Sequence, residues 1–294
     1  MTELDAIRRF ALTVAAILVL VAAPAGAQEA PARDGDDAAA AAKPGFFFWT
    51  DSSLSLLPYG DGFVVDPAEQ STVTFEHAHA SAIGDFFMFI DYASFHGAAT
   101  DDSNWYGEIG PRFSFGKMLG KDLSRTLFKR SLFEVKDVLL ATQYERGEDA
   151  DAAEALLVGV GFDLDVREVG ILGGLNKFNY VQLNVYGRAD LTPSGDSGFS
   201  DLQFTMVASY PFSIGRSQFL VDGYFDWSLG LGNRDWTFHL NPQVTMDLGA
   251  AWRKPGRLFV GVEFDLWWNK YQIGNSPGFD TNQAAISLLA KYHL

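Results

Sequence analysis

Along residues 181–190, Val181, Leu183, Val185, Gly187 and Ala189 are apolar or small, and Gln182, Asn184, Tyr186, Arg188 and Asp190 between them are polar or amphipathic. A side-chain period of two puts each set on its own face of a β-strand. The pattern recurs along the chain, with almost no helical period between. At 155–165, Leu156, Val158, Val160, Phe162 and Leu164 oppose Gly159, Gly161, Asp163 and Asp165. At 201–210, Leu202, Phe204, Met206, Ala208 and Tyr210 oppose Asp201, Gln203, Thr205, Val207 and Ser209. At 218–228, Phe219, Val221, Gly223, Phe225 and Trp227 oppose Leu220, Asp222, Tyr224 and Asp226. Further strands are predicted at 52–58, 70–81, 86–94, 105–115, 132–144, from 236 onward, at 258–271 and after a loop at 273–281, twelve in all. The segment 86–94 is apolar on both faces, so its register stays open. Between strands, 116–130 reads as a basic turn with room for a short helix, and 145–151 as an acidic loop.

Repeated alternation behind an export signal predicts a closed barrel with lipid outside and water inside. Arg8 and Arg9 precede an apolar run from Phe10 to Ala23, and Ala25-Gly26-Ala27 follows. That is the form of a cleaved secretory signal peptide, predicted for 1–27. The run is shorter than the ~20 residues a spanning helix needs. Residues 28–45, rich in Ala, Asp and Pro, read as a disordered lead-in. Residues 46–294 then form one all-β, antiparallel barrel of the cell outer membrane, with the aromatic run Phe46-Phe47-Phe48-Trp49 as an interfacial anchor. Short connections are predicted near Gly84, at 213–216 and at 254–256, and longer ones at 59–68, 95–104, 145–153, 191–200, 230–235 and 273–281. Such an alternation is that of turns on the periplasmic side and loops on the outer side. Ile286, Leu288, Ala290, Tyr292 and Leu294 keep the period to the last residue, a terminal strand of the kind the barrel-assembly machinery reads.

Composition narrows the chemistry. The 294 residues include 25 Phe, 10 Tyr, 7 Trp and 29 Gly, as strands with aromatic girdles require. A mean hydropathy near zero is too low for a bundle of spanning helices. Cys is 0, which removes disulfides and thiolate chemistry. A net charge of −15 argues against nucleic acid as a partner. It fits a solvated acidic surface, an acidic lumen or acidic outer loops. His77 and His79 lie two apart on one strand face, a spacing that could hold a metal, but no third ligand is evident. His239 has no identifiable nucleophile beside it, and no GxSxG motif or phosphate loop is present. No enzyme activity, metal or cofactor is predicted.

Four stretches carry a family resemblance: Gly107-Glu108-Ile109-Gly110-Pro111-Arg112-Phe113-Ser114, Val158-Gly159-Val160-Gly161-Phe162-Asp163-Leu164-Asp165, Asn184-Val185-Tyr186 and Phe225-Asp226-Trp227. In that order, over roughly 47–294, the chain resembles the Tsx-type nucleoside-specific channels of the outer membrane. The resemblance implies a monomeric twelve-stranded barrel with a narrow, keyhole-like lumen that passes nucleosides by facilitated diffusion. Some members also serve as phage or bacteriocin receptors, so a receptor or structural barrel without a specific solute is the alternative. The resemblance further implies a nucleoside site that uses an Arg-Phe pair in the first outer loop. Tyr59-Gly60-Asp61-Gly62-Phe63 lines up there. Phe63 matches the aromatic and Tyr59 an upstream Tyr, while Gly62 stands where the Arg would be.

Nucleosides or other small polar solutes need aromatic faces to stack on and polar groups for hydroxyls and base edges. The inward lists supply Tyr186 and Tyr224 for the first, and Gln182, Asn184, Gln203, Asn241 and Gln243 for the second. Glu108, Arg112, Arg188, Asp226 and Glu263 are the charged candidates for solute contact. Arg112 and Arg188 either brace the lumen against acidic neighbours or touch solute. Glu108 and Arg112 stand about 13 Å apart along one strand face, so each must pair with another strand. The surplus of inward acids predicts that neutral or cationic solutes pass better than anions.

Overall fold

The alternating pattern is realised as a closed sheet. In the computed structural model, which describes residues 46–96, 103–123, 133–148, 154–166, 177–192, 198–231, 234–274 and 277–294, twelve antiparallel strands form one barrel. They are β1 (Phe47–Asp61), β2 (Glu69–Ser81), β3 (Gly84–His96), β4 (Ser103–Ser114), β5 (Phe133–Gly147) and β6 (Glu154–Val166). The second half comprises β7 (Tyr180–Asp190), β8 (Phe199–Ile214), β9 (Ser217–Ser228), β10 (Thr237–Asp247), β11 (Leu258–Trp268) and β12 (Gln283–His293). Each strand pairs with its neighbours in sequence, and β1 pairs with β12 to close the ring. Closure leaves no sheet edge, which a strand structure in hydrocarbon requires. The expected signal peptide and lead-in lie outside the described residues.

β1 starts and β12 ends at the same end of the barrel, where tight turns at 82–83 and 215–216 mark the periplasmic side. The strand ends that flank the six longer loops expected from sequence all lie at the opposite, outer end. Length does not sort cleanly by side, however, because 115–132 and 167–179 are long periplasmic connections. The first opens with a short helix, Phe115–Leu119. Ser114 caps it, accepting from Lys117 N at 3.0 Å and donating to Asp137 at 2.5 Å.

Several strand ends differ from the sequence expectation. β1 begins at Phe47, so most of the aromatic run lies on the strand itself. β5 continues to Gly147 and carries Glu145 out of the supposed acidic loop into the lumen. β11 stops at Trp268, where Asn269 adopts a left-handed conformation (φ 50°) and a single 3₁₀ turn, Lys270–Gln272, follows. Asn269, inside the range expected for this strand, instead donates to Trp236 O at the rim. The open register of β3 is settled by the pairs Asp85↔Arg112, Phe89↔Glu108 and Asp91↔Tyr106. Asp85, Phe87, Phe89 and Asp91 therefore face inward.

The expected alternation of β6 to β9 holds residue by residue. Leu54, Leu56, Leu156, Val160, Leu202, Ile286 and Leu288 are exposed on the outer surface. Phe46, Phe47, Phe48, Trp49, Trp252 and Tyr292 gird the periplasmic rim, and Tyr92, Tyr144, Trp227 and Trp236 the outer rim. A band of aliphatic side chains between two aromatic girdles is the outer surface of a membrane barrel. Among the described residues no helix is long and apolar enough to cross a membrane, so the strands do the crossing. Leu288, midway along β12 and 55% exposed, sits in the band. Leu288→Arg is expected to destabilise the barrel by about 2–4 kcal/mol, measured by denaturant titration in lipid vesicles.

Candidate functional site in the lumen and its mouth

Inward polar side chains join across strands into a belt around the outer half of the lumen. On β4, Tyr106 OH donates to Glu108 Oε1 at 2.7 Å. Gln143 on β5 donates to Glu108 Oε2 at 2.8 Å and to Glu145 Oε1 at 3.2 Å. Arg188 on β7 grips both Glu145 oxygens, at 2.8 and 2.7 Å, and donates to Gln203 Oε1 on β8 at 2.9 Å. Gln203 in turn donates to Asp226 on β9 at 3.0 Å, and Thr205 donates to the same carboxylate. Beyond Asp226, the register brings His239 of β10 opposite. Its Nε2 meets Asp265 at 2.8 Å, and its ring stacks 3.7 Å from Trp267 and edge-on, 5.2 Å, against Tyr224. Apart from Tyr106–Glu108 on β4 and Gln143–Glu145 on β5, these links join different strands and tie the wall together across the sheet.

A second cluster sits nearer the periplasm. Arg112 donates to both oxygens of Asp85 at 2.8 and 2.7 Å, to Asp163 at 2.8 Å and to Asn184 at 3.4 Å. Gly161 makes this reach possible, since a Cβ there would lie 2.6 Å from Asn184 Oδ1. On the opposite wall Lys291 pairs with Glu76 at 2.8 Å, and Gln243 donates to Glu263 at 2.7 Å. Between the two arginines, Ala141, Ala155, Leu157 and Tyr186 form a buried apolar cluster that fills one side of the lumen.

The mouth is shaped by the connection 62–68, which folds inward. Phe63 is only 8% exposed. Its N–H donates to Ala68 O at 3.3 Å, and Val64 N–H to Gln283 Oε1 at 3.0 Å. Gly62 has φ +94°, and a Cβ there would lie 2.7 Å from Ala284 O. Gly62 is therefore built into this loop's path, because L-residues rarely adopt such a φ. Val65, Tyr271 and Gln272 nearby also have positive φ, at 73°, 59° and 59°. Such backbone costs about 1–3 kcal/mol per residue and persists only where surrounding contacts over-determine it.

The sequence-based candidates are thus dispersed along the passage. Glu108, Arg188, Asp226 and Tyr224 meet on the outer belt, Arg112 and Glu263 lie below it, and Phe63 lies above it. Tyr186 is packed against the apolar cluster. Tyr59 stays 46% exposed on β1, outside this arrangement. The expectation that Arg112 must reach other strands is met by β3 and β6. Arg188 and Arg112 both brace the wall. Glu145, Asp85, Trp267 and Lys270 were not singled out from sequence. Glu145 continues the inward period of Leu139, Ala141 and Gln143, a signal masked by the acidic residues after it. His77 and His79 face outward at the periplasmic rim, where His79 stacks 5.0 Å from Phe86 and meets Phe47 at 4.9 Å. Among the described residues no cluster of three His, Asp or Glu could hold a metal.

A closed strand barrel with a lipid-facing surface and a cross-braced polar lumen belongs to the class of channel-forming outer-membrane proteins. The family model described as nucleoside-specific channel-forming protein, Tsx, matches residues 51–294, and the chain belongs to that family. It is an outer-membrane channel. A comparison with curated proteins finds no match. Among solved structures the chain is similar to OccK11 (OpdR) of Pseudomonas aeruginosa, at 10% identity over 83% of this chain and 96% of that one, with a TM-score of 0.29. At that score the likeness carries no weight.

Two outcomes follow from the bracing and the loop. Arg188→Ala leaves the buried Glu145 carboxylate without its cation and is expected to cost about 3–5 kcal/mol of barrel stability, measured by denaturant unfolding in vesicles. Removing Glu145 as well should recover part of that loss. Gly62→Arg should displace the loop rather than restore a guanidinium at the site, seen as increased protease cleavage between 62 and 68 in the folded barrel.

Proposed function

We propose that the lumen passes nucleosides and other small polar solutes passively, and prefers neutral or cationic solutes to anions. The carrying observation is the charge balance of the wall. The lumenal cations Arg112, Arg188 and Lys291 are each tied to a carboxylate. The carboxylates of Glu108, Asp226 and Glu263 take hydrogen bonds from the neutral donors Tyr106, Gln143, Gln203, Thr205 and Gln243. Among the described residues no Lys or Arg forms an ion pair with these three carboxylates, which leaves acids in excess of cations on the wall. An anion entering would meet this field in a confined space, where counter-charge is hard to supply.

The same groups suit a nucleoside. Carboxylates accept from ribose hydroxyls, amides bond base edges, and Phe63, Tyr224 and Trp267 offer ring faces. No single site gathers all of these, and passage favours weak binding in series over one tight site. Arg112 and Arg188 act as braces, Tyr186 narrows the lumen, and Tyr59 stands at the outer approach. The barrel works as a monomer without a catalytic step. It is inserted by the barrel-assembly machinery through the outward period of β12.

Single-channel recording of the refolded protein in planar bilayers tests this. Under a salt gradient the reversal potential should show cation preference, and a clear anion preference would overturn the charge argument. Adenosine added stepwise should block the conductance. Phe63→Ala should raise the half-blocking concentration by about tenfold, equal to ~1.4 kcal/mol. A stable conductance indifferent to adenosine would keep the channel and discard the nucleoside.

A further inference from the structure

We infer that Lys270 is a positioning residue for solute recognition: its ammonium latches the first outer loop inward and holds Phe63 in the mouth of the lumen. The inference rests on the proposed role of Phe63 and adds what keeps that ring in place. Lys270 lies in the 3₁₀ turn after β11 and is 2% exposed. A buried ammonium is costly unless each of its three donors is used. Here all three are, by Val64 O at 3.1 Å, Asp66 Oδ2 at 2.6 Å and Gln283 Oε1 at 2.7 Å. Two of these acceptors belong to the loop that carries Phe63, on the residues one and three places after it.

Neighbouring contacts reinforce the latch. Gln283 Oε1 also accepts from Val64 N–H at 3.0 Å, so one amide oxygen ties β12 to both the lysine and the loop. Tyr271 OH donates to Asp66 Oδ2 at 2.9 Å. The ammonium stands 5.0 Å from the Tyr271 ring and 5.9 Å from the Trp267 ring, within cation–π range.

Backbone conformation points the same way. Among the described residues, Val65, Asn269, Tyr271 and Gln272 make up all but one of the non-glycine residues with positive φ, the other being Arg253. Unfavourable backbone on both sides of one ion pair means that side-chain contacts hold the two loops in this arrangement. With its donors saturated, Lys270 has none left for a solute. Its effect on recognition is therefore indirect, and its loop contacts route it through Phe63.

The test is adenosine block of the full-length channel, with heat-modifiable gel migration confirming each variant as a folded barrel. Lys270→Met is expected to raise the half-blocking concentration about tenfold without lowering the unblocked conductance. In a Phe63→Ala background the same substitution should change block by less than about twofold, since its effect acts through the missing ring. Asp66→Asn, which weakens the latch while keeping the Val64 and Gln283 acceptors, should shift block in the same direction by a smaller factor. It serves as the test should Lys270→Met fail to fold. If Phe63→Ala weakens block while folded Lys270→Met or Asp66→Asn leaves it unchanged, the latch is overturned and the Phe63 site stands. If Phe63→Ala itself changes nothing, both fall. An equal loss from Lys270→Met with and without Phe63 would also overturn the inference, because the lysine would then act independently of the ring.

Discussion

In hydrocarbon no water can satisfy a backbone amide or carbonyl, and the architecture follows from that constraint. Strands can meet it only by pairing on both sides, and twelve of them do so by joining β1 to β12. Once the ring is closed, alternation sorts side chains without further instruction. Most leucines and aromatics turn to lipid, and most of what is polar on the strands is delivered to the interior. The lumen's chemistry is thus the complement of the outer surface's greasiness.

Concentrating polar groups in a narrow space creates its own problem, which the belt solves. Arg188 and Arg112 each serve carboxylates on other strands, so the wall is stiffened across the hydrogen-bond ladder as well as along it. Other carboxylates, Glu108, Asp226 and Glu263, take their hydrogen bonds from neutral donors instead. Stiffness and the proposed selectivity draw on the same inventory of side chains, divided by which acids receive a guanidinium and which an amide.

Strand number, facing and membrane class were legible in sequence because a period of two is a direct imprint of the pleat. β7 shows this best, since its inward set reads unchanged from Gln182 to Asp190. Strand ends were less legible. Glu145 looked like the start of an acidic loop because charge signals solvent, and a lumen is solvent too. Lys270 looked like the tail of β11 because nothing local announces that Asn269 turns left-handed there. Cross-lumen partners were not legible at all, since they depend on shear and register rather than on spacing along one strand. Gly62 could be read in sequence only as a departure from what the resemblance implies. Only the three-dimensional path explains it, through a backbone conformation and an Ala284 carbonyl that leave no room for a side chain.

The latch between Asp66 and Lys270 joins residues 204 positions apart in the chain. One stands just after the first strand and the other just before the last, so they straddle the seam where the ring closes. Until β12 has found β1, Lys270 has neither Val64 nor Asp66 to bind, and Phe63 has no pocket. Such long-range contacts form late, because their loop-closure entropy must be met first. The mouth is therefore a product of completed assembly: a barrel stalled with its seam open would already have its braced wall from β4 to β11, but no ordered entrance.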